Sequence, residues 1–223
     1  FNEKFNENHL LGLGINSQKT QNGKTKFFNS FSIYDNELNL IHSYEKVKLV
    51  PFGEFLPLEK ILRIIGLKSL TNNYQSYSSG INREIIDINK NNLSFKILPL
   101  ICYEIIYSGK IFENNKFDYI INISEDGWFG NSIGPYQHYA HSVFRAIESG
   151  KYVIRSANNG ITAIVNPIGV AEQKILFGKN GYIDFREKRS VETTIFSKFG
   201  NKIFFVMILL YIFLIFSFNR NSK

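Results

Sequence analysis

Hydrophobic positions along the chain fall into short, separated runs whose spacing changes from one run to the next. Residues 10–15 (LLGLGI) form an apolar run bounded by polar residues, which predicts a buried strand. The polar Gly/Asn/Lys stretch 17–25 predicts a loop. Residues 26–34 and 38–46 read as strands, and Asp35-Asn36-Glu37 between them predicts a hairpin. Residues 49–58 (LVPFGEFLPL) carry two prolines and a glycine, which excludes a regular helix interior or a central strand. Residues 58–65 predict a short amphipathic helix stopped by Gly66, and residues 69–80 a polar loop. Residues 95–101 and 117–123 are nearly continuous apolar runs, the pattern of central strands covered on both faces. Tyr136, Tyr139, Ala140, Val143, Phe144 and Ile147 recur at helical spacing, with Gly150 as the stop. Residues 152–157 and 161–166 flank Asn158-Asn159-Gly160, a hairpin with suitable turn chemistry, and residues 191–196 predict a last strand.

The run 203–218 (IFFVMILLYIFLIFSF) contains no charge. As a helix it spans roughly 24 Å, somewhat short of a ~30 Å hydrocarbon core. Lys198, Lys202, Arg220 and Lys223 flank it and are long enough to snorkel to the interfaces. A buried C-terminal helix is the alternative, but no face is polar, which favours a transmembrane helix. Both flanks are basic, so charge asymmetry does not orient it. The chain therefore divides into an α/β domain over 1–197 and a membrane segment with a basic tail over 198–223.

With 223 residues, 44% hydrophobic and 20% charged, the chain is long enough for one domain with a substantial core. The net charge of +7 comes from scattered lysines, with no zinc-finger spacing and no glycine-rich phosphate loop. Anionic lipid headgroups suit that charge better than nucleic acid. One cysteine, Cys102, excludes an intramolecular disulfide and a multi-cysteine zinc site. His9, His42, His138 and His141 lack a partnered serine motif or an HExxH pattern, so no metal site is expected. The chain opens at Phe1 on polar residues without a signal peptide, and sequence is expected upstream.

Cys102 stands where an apolar strand gives way to Tyr103-Glu104, rigidly held yet able to face a cleft. A small buried hydrophobe is its bland reading. Lys46 precedes the Pro/Gly-interrupted segment and is placed to stabilise an oxyanion, although a solvated lysine is the commoner case. Lys46 and Lys48 share a strand face, so alternation does not choose between them. A carboxylate, Glu54 or Glu104, would hold such a lysine charged. Trp128-Phe129 sits in a polar, glycine-rich loop, where aromatic rings either contact substrate or fold back into the core.

In order and spacing these segments resemble the apolipoprotein N-acyltransferases of the nitrilase superfamily. Residues 46–54 (KVKLVPFGE) look like the family's lysine motif and Ile101-Cys102-Tyr103-Glu104 like its nucleophile motif. Asp126-Gly127-Trp128-Phe129-Gly130, Gln137-His138, Arg145-Ala146-Ile147-Glu148, Arg155 and residues 158–162 (NNGIT) continue the likeness, which covers roughly residues 10–169. The resemblance implies an α/β fold, a four-layer α-β-β-α nitrilase-like sandwich, followed by a transmembrane helix. It implies transfer of a fatty acyl chain from a phosphatidylethanolamine-like phospholipid, through a cysteine thioester, to the N-terminal amine of a diacylglyceryl-cysteine apolipoprotein. It places the catalytic domain in the periplasm, at the bacterial inner membrane, with a cytoplasmic C-terminus, and calls for no cofactor. Residue by residue, Cys102 matches the nucleophile and Lys46 the catalytic lysine. Glu54, Tyr103 and Glu104 match supporting positions, and Trp128 and Phe129 a mobile loop at the lipid entrance. The family's general-base glutamate lies upstream of residues 10–15, and nothing here matches it; Glu3 and Glu7 sit too close to the first strand. Glu125 stands where the family usually has Asn, and Lys151 where it has Arg. A carbon–nitrogen hydrolase with water as acceptor, and an inactive membrane-bound module, are the alternatives.

Overall fold

The computed structural model describes residues 7, 9–21, 23–58, 76–90, 93–109, 116–186 and 191–221. Two sheets lie at its centre. β1 (Leu11–Gln21), β2 (Lys24–Tyr34) and β3 (Leu40–Glu45) form an antiparallel meander. β4 (Ile86–Lys90), β5 (Leu93–Ile101), β6 (Tyr119–Glu125), β7 (Tyr152–Asn158), β8 (Thr162–Val165) and β9 (Ala171–Ile175) form a six-stranded sheet in sequence order. Its centre, β5-β6-β7, is parallel, and its flanks are antiparallel.

The parallel strands are the ones with continuous apolar runs, because both of their faces are covered. Leu98, Leu100, Ile120, Val153, Ala163 and Val165 pack on one face, toward the helix α1 (Gly134–Ser149). Alternate residues, Ile97, Ile101, Tyr119, Tyr152 and Ile164, pack with Phe31, Ile33 and Tyr44 of the small sheet. Among the described residues the layers are thus helix, large sheet and small sheet.

α1 starts with proline in its first turn and ends at Gly150, which has φ +65 and caps Ala146 and Ile147. A Cβ there would lie 2.7 Å from the Glu192 carbonyl, so the stop is also a packing requirement.

Two expectations change. The polar stretch 17–25 is no loop: β1 and β2 run on in unbroken register from Leu11↔Tyr34 to Gln21↔Lys24. Backbone pairing and cross-strand hydroxyl pairs, Ser17–Ser30 at 2.7 Å and Thr20–Thr25 at 3.1 Å, sustain a ribbon without an apolar face. Residues 191–196 are not a strand, because the Thr194 side chain accepts from the Ser197 N–H and starts the short helix α2 (Ile195–Phe199). β4 and β9 are strands without an expectation. The helix expected over 58–65 lies outside the described residues except for Leu58.

The apolar C-terminal run is helical, within α3 (Lys202–Asn221), and Phe205, Leu209, Phe213 and Phe216 are all exposed on it. Among the described residues no helix is long and apolar enough to cross a membrane.

Candidate active site

In a parallel sheet, ligands gather beyond the carboxyl ends of the strands. Here the ends of β5, β6 and β7 deliver Cys102, the segment Ser124-Glu125-Asp126, and the turn after Asn158 to one edge. β5 gives way at Cys102 to a single 3-10 turn, Cys102–Ile106. Cys102 itself has φ +49, a left-handed conformation that costs a residue with a side chain about 1–2 kcal/mol. The backbone thus turns sharply at the one thiol of the chain.

Glu104 fixes this turn from below. Its buried carboxylate accepts from the Ile101 N–H at 2.9 Å, from the Val47 and Lys48 N–H groups at 3.0 and 3.1 Å, and from the Tyr44 hydroxyl at 2.9 Å. One side chain therefore ties the Cys102 turn of the large sheet to the end of β3 in the small one. Burial and the neighbouring Glu104 carboxylate push the Tyr44 hydroxyl's pKa well up, so it remains a donor. Glu104 bonds to the chain segment carrying Lys46 rather than to the Lys46 ammonium.

Lys46 follows β3 directly, and its backbone is pinned by bonds to Asn29 and Gly80. Its side chain is 1% exposed and its ammonium meets Glu54 at 2.8 Å, whereas Lys48 is exposed. Glu54 also accepts from Asn29 and from the Val50 N–H, so the irregular segment 49–58 exists to fold a carboxylate back onto the lysine.

Cys102, Lys46, Glu54 and Tyr103 open on one cleft of about 1540 Å³ between the two sheets. That is larger than the roughly 300–1,000 Å³ of ordinary small-molecule sites. Its walls are mainly apolar, with Phe31, Phe95 and Ile123 among them, and Trp128 and Phe129 stand at it. Trp128 is 77% exposed in the turn Gly127–Phe129, so its ring does not fold back into the core. Phe129 lies edge-on to the His138 ring at 5.5 Å.

The histidines, unpromising in sequence, require a correction. His138 is buried on α1, with Nδ1 2.8 Å from Asp126 Oδ1 and Nε2 3.1 Å from the Cys102 carbonyl. Asp126 in turn receives the Arg155 guanidinium at 2.6 Å, and Arg155 also donates to Asn122 and to the Ile161 carbonyl. The turn after β7 passes close by: a Cβ at Gly160 would lie 2.2 Å from Asp126 Oδ2, so only glycine fits. The resemblance singles out residues 102, 126, 138 and 155 separately, but no spacing along the chain links them to one another, since they come from four different elements. Glu125 binds the Gly127 N–H at 2.7 Å and the Asn158 side chain, so the carboxylate in place of Asn is accommodated. Among the described residues no cluster of three His, Cys, Asp or Glu side chains is placed to hold a metal ion.

Burial alone raises the Asp126 carboxyl's pKa. The His138 hydrogen bond, the Arg155 charge and the Ser124 hydroxyl outweigh it and hold the carboxyl below its usual value. A depressed folded-state value contributes stability that is fully present above the unfolded value of about 3.9 and lost as pH falls through the folded one. Thermal midpoints measured between about pH 5 and pH 2 should therefore fall more steeply for the parent protein than for Asp126→Asn. Equal slopes would contradict this.

The carbon–nitrogen hydrolase family matches residues 6–177. An apolipoprotein N-acyltransferase of Rickettsia typhi is 41% identical over 208 residues, 92% of this chain and 40% of the relative. One of Rhodopseudomonas palustris is 36% identical over 177 residues, 79% of this chain and 32% of the relative. The chain thus spans about 40% of the length of the first of these relatives. Among solved structures, Saccharomyces cerevisiae Nit3, a member of the nitrilase superfamily, superposes with a TM-score of 0.51 at 17% identity, covering 75% of this chain and 56% of that one. A mutant amidase from Nesterenkonia sp. AN1 in complex with butyramide gives 0.50 at 13%, covering 75% and 57%. These two show likeness of fold. The family match, over well more than half of its length, means that the chain belongs to the carbon–nitrogen hydrolase family.

Proposed function

We propose that this chain carries the catalytic part of an N-acyltransferase that moves a fatty acyl chain from a phospholipid to the N-terminal amine of a diacylglyceryl-cysteine apolipoprotein. The observation that carries the reading is the chain's one thiol, on a sharp strand-end turn, opening with a buried ammonium onto a large, mainly apolar cleft. The names of the relatives support the substrate class.

In this mechanism the Cys102 thiolate attacks the acyl carbonyl carbon of the phospholipid ester, forming a C–S bond. The carbonyl becomes an oxyanion, which the Lys46 ammonium, oriented by Glu54, stabilises. The C–O bond breaks, lysophospholipid leaves with a proton, and a thioester remains. The acceptor amine then attacks the thioester, loses a proton to the general base, and the C–S bond breaks to give the amide and the Cys102 thiolate, so that transfer takes two easier steps rather than one. The thiol proton goes to a general base, a role that the resemblance gives to a glutamate upstream of β1. Tyr103 lines the site, and Trp128 and Phe129 act at the lipid entrance.

The division at residue 198 belongs to the same proposal, with α3 as the membrane anchor. Lys198 and Lys202 reach the headgroup region and offset a short apolar span. With the catalytic domain in the periplasm, a reporter fused after Lys223 should score cytoplasmic; a periplasmic score would mean that α3 does not cross.

The direct test supplies labelled phospholipid to membranes containing the protein. A hydroxylamine-sensitive, Cys102-dependent thioester that passes to a lipoprotein amine is the expected result. Hydrolysis of a small amide without a thioester from lipid would favour the amidase reading, which the fold also allows. Lys46→Met should keep the fold and lower kcat about 10²- to 10³-fold, the usual loss for one oxyanion partner. An unchanged kcat would remove Lys46 from the mechanism.

A further inference from the structure

Three features converge on the backbone around Cys102, and two of them begin at Arg155. Arg155 is 1% exposed at the centre of the large sheet. One branch runs from its guanidinium to Asn122, whose amide nitrogen donates to the Leu100 carbonyl at 2.9 Å. The other runs through Asp126 to His138, whose Nε2 stands 3.1 Å from the Cys102 carbonyl. The third is Glu104 on the Ile101 N–H, at 2.9 Å. The carbonyl two residues before the thiol, the amide one residue before it, and its own carbonyl are each held by a buried side chain.

The peptide after Cys102 needs such a hold. At φ +49 the residue sits in a well that a side chain disfavours by about 1–2 kcal/mol, a cost that must be met elsewhere. The Asp126 carboxylate stands 2.8 Å from Nδ1 and the Cys102 carbonyl 3.1 Å from Nε2, so a hydrogen on Nε2 lets the ring donate to that carbonyl. The Asp126 carboxylate fixes the ring through Nδ1, and Phe129 closes against it edge-on.

We propose that His138, oriented by Asp126 and Arg155, is a positioning residue that holds the Cys102 carbonyl and so keeps the nucleophile in its left-handed conformation, aimed into the cleft. It touches no reacting atom. This role rests on Cys102 being the nucleophile. Placement errors of about 1 Å at a reacting group cost on the order of 10²-fold, and removing the clamp falls in that class.

The test compares His138→Ala with His138→Gln, whose amide can still donate to the carbonyl, and with Cys102→Ala, all in the full protein in membranes. Three quantities are read: thermal midpoint, kcat and KM for acyl transfer, and the rate of Cys102 alkylation by iodoacetamide followed by mass. His138→Ala should lower kcat roughly 10- to 100-fold at unchanged KM for phospholipid, and change the alkylation rate of the folded protein several-fold. His138→Gln should recover a large part of both. If His138→Ala folds and keeps kcat and alkylation within about twofold of the parent, the role is refuted while the nucleophile stands. It is equally refuted if kcat falls only in proportion to the unfolded fraction, or if His138→Gln recovers stability without kcat. Should His138→Ala fail to fold, the deciding comparison is His138→Gln against Asp126→Asn, which keeps the shape and weakens the hold on the ring. Parental kcat and alkylation in a folded Asp126→Asn overturn the proposal, and a loss of kcat at unchanged KM supports it. Retention of transfer by Cys102→Ala would instead overturn the function proposed above.

Discussion

Cys102→Ala should abolish the acyl-enzyme and lower turnover by at least about 10⁴-fold, since a nucleophile acting within a catalytic unit is worth that much or more. Within these 223 residues no second thiol can substitute, because they contain one cysteine. Stability should hardly change, for alanine carries the same Cβ into the same φ of +49. Glycine in that position should behave differently. Cys102→Gly should be as inactive as Cys102→Ala but more stable by about 1–2 kcal/mol, because the left-handed conformation is free for glycine. Denaturation midpoints of the two variants measure the strain at the turn directly. Equal midpoints would mean that the strain does not exceed glycine's extra unfolded-state entropy, roughly 0.5–1 kcal/mol.

Arg155→Met should be the most destabilising single change in the site. Methionine matches much of the length of the side chain but none of its charge. It leaves Asp126 Oδ2, the Asn122 side-chain oxygen and the Ile161 carbonyl without their donor, all at a buried position. Breaking a buried, hydrogen-bonded ion pair from one side costs about 3–5 kcal/mol. For a chain of this size that lowers the thermal midpoint by roughly 10 °C or more. The double variant Arg155→Met/Asp126→Asn should recover part of the loss, because the stranded charge is then gone. A cycle in which the two losses simply add would show that the pair is not coupled.

What the sequence made legible follows from where each signal originates. β5 and β6 stand out because strands covered on both faces need unbroken apolar runs, and α1 because its buried stripe recurs at helical spacing. The far end of the β1–β2 ribbon carries no such stripe; it is held by backbone pairing and hydroxyl pairs, to which hydrophobic periodicity is blind. β4 (IDINK) and β9 (AEQKI) are edge strands with few apolar residues, so each resembles a loop in composition. Residues 191–196 carry β-branched residues that favour a strand, yet one threonine cap starts a helix instead. In the site, Cys102, Lys46 and Glu54 were legible through local motif and the fold brings them to one cleft. Glu104 was legible as a carboxylate of the site, but the fold uses it on backbone amides. His138 and Asp126 were invisible as partners of the Cys102 backbone, because what joins them is a contact across the sheet edge and not a spacing along the chain.

Glu104 also bears on the order in which the protein assembles. The hydrogen bond from the Tyr44 hydroxyl to its carboxylate closes a loop of 60 residues, and its bonds to Val47 and Lys48 close loops nearly as long. Contacts of such separation form late, after local hairpins have already appeared. Each sheet can therefore acquire its strands while the lysine and the thiol still belong to unconnected halves. During refolding, far-UV ellipticity should return before Cys102 becomes protected from alkylation, and catalytic competence should follow the second event. The meeting of thiol and lysine is a late product of folding, made when Glu104 and the apolar faces join the two sheets.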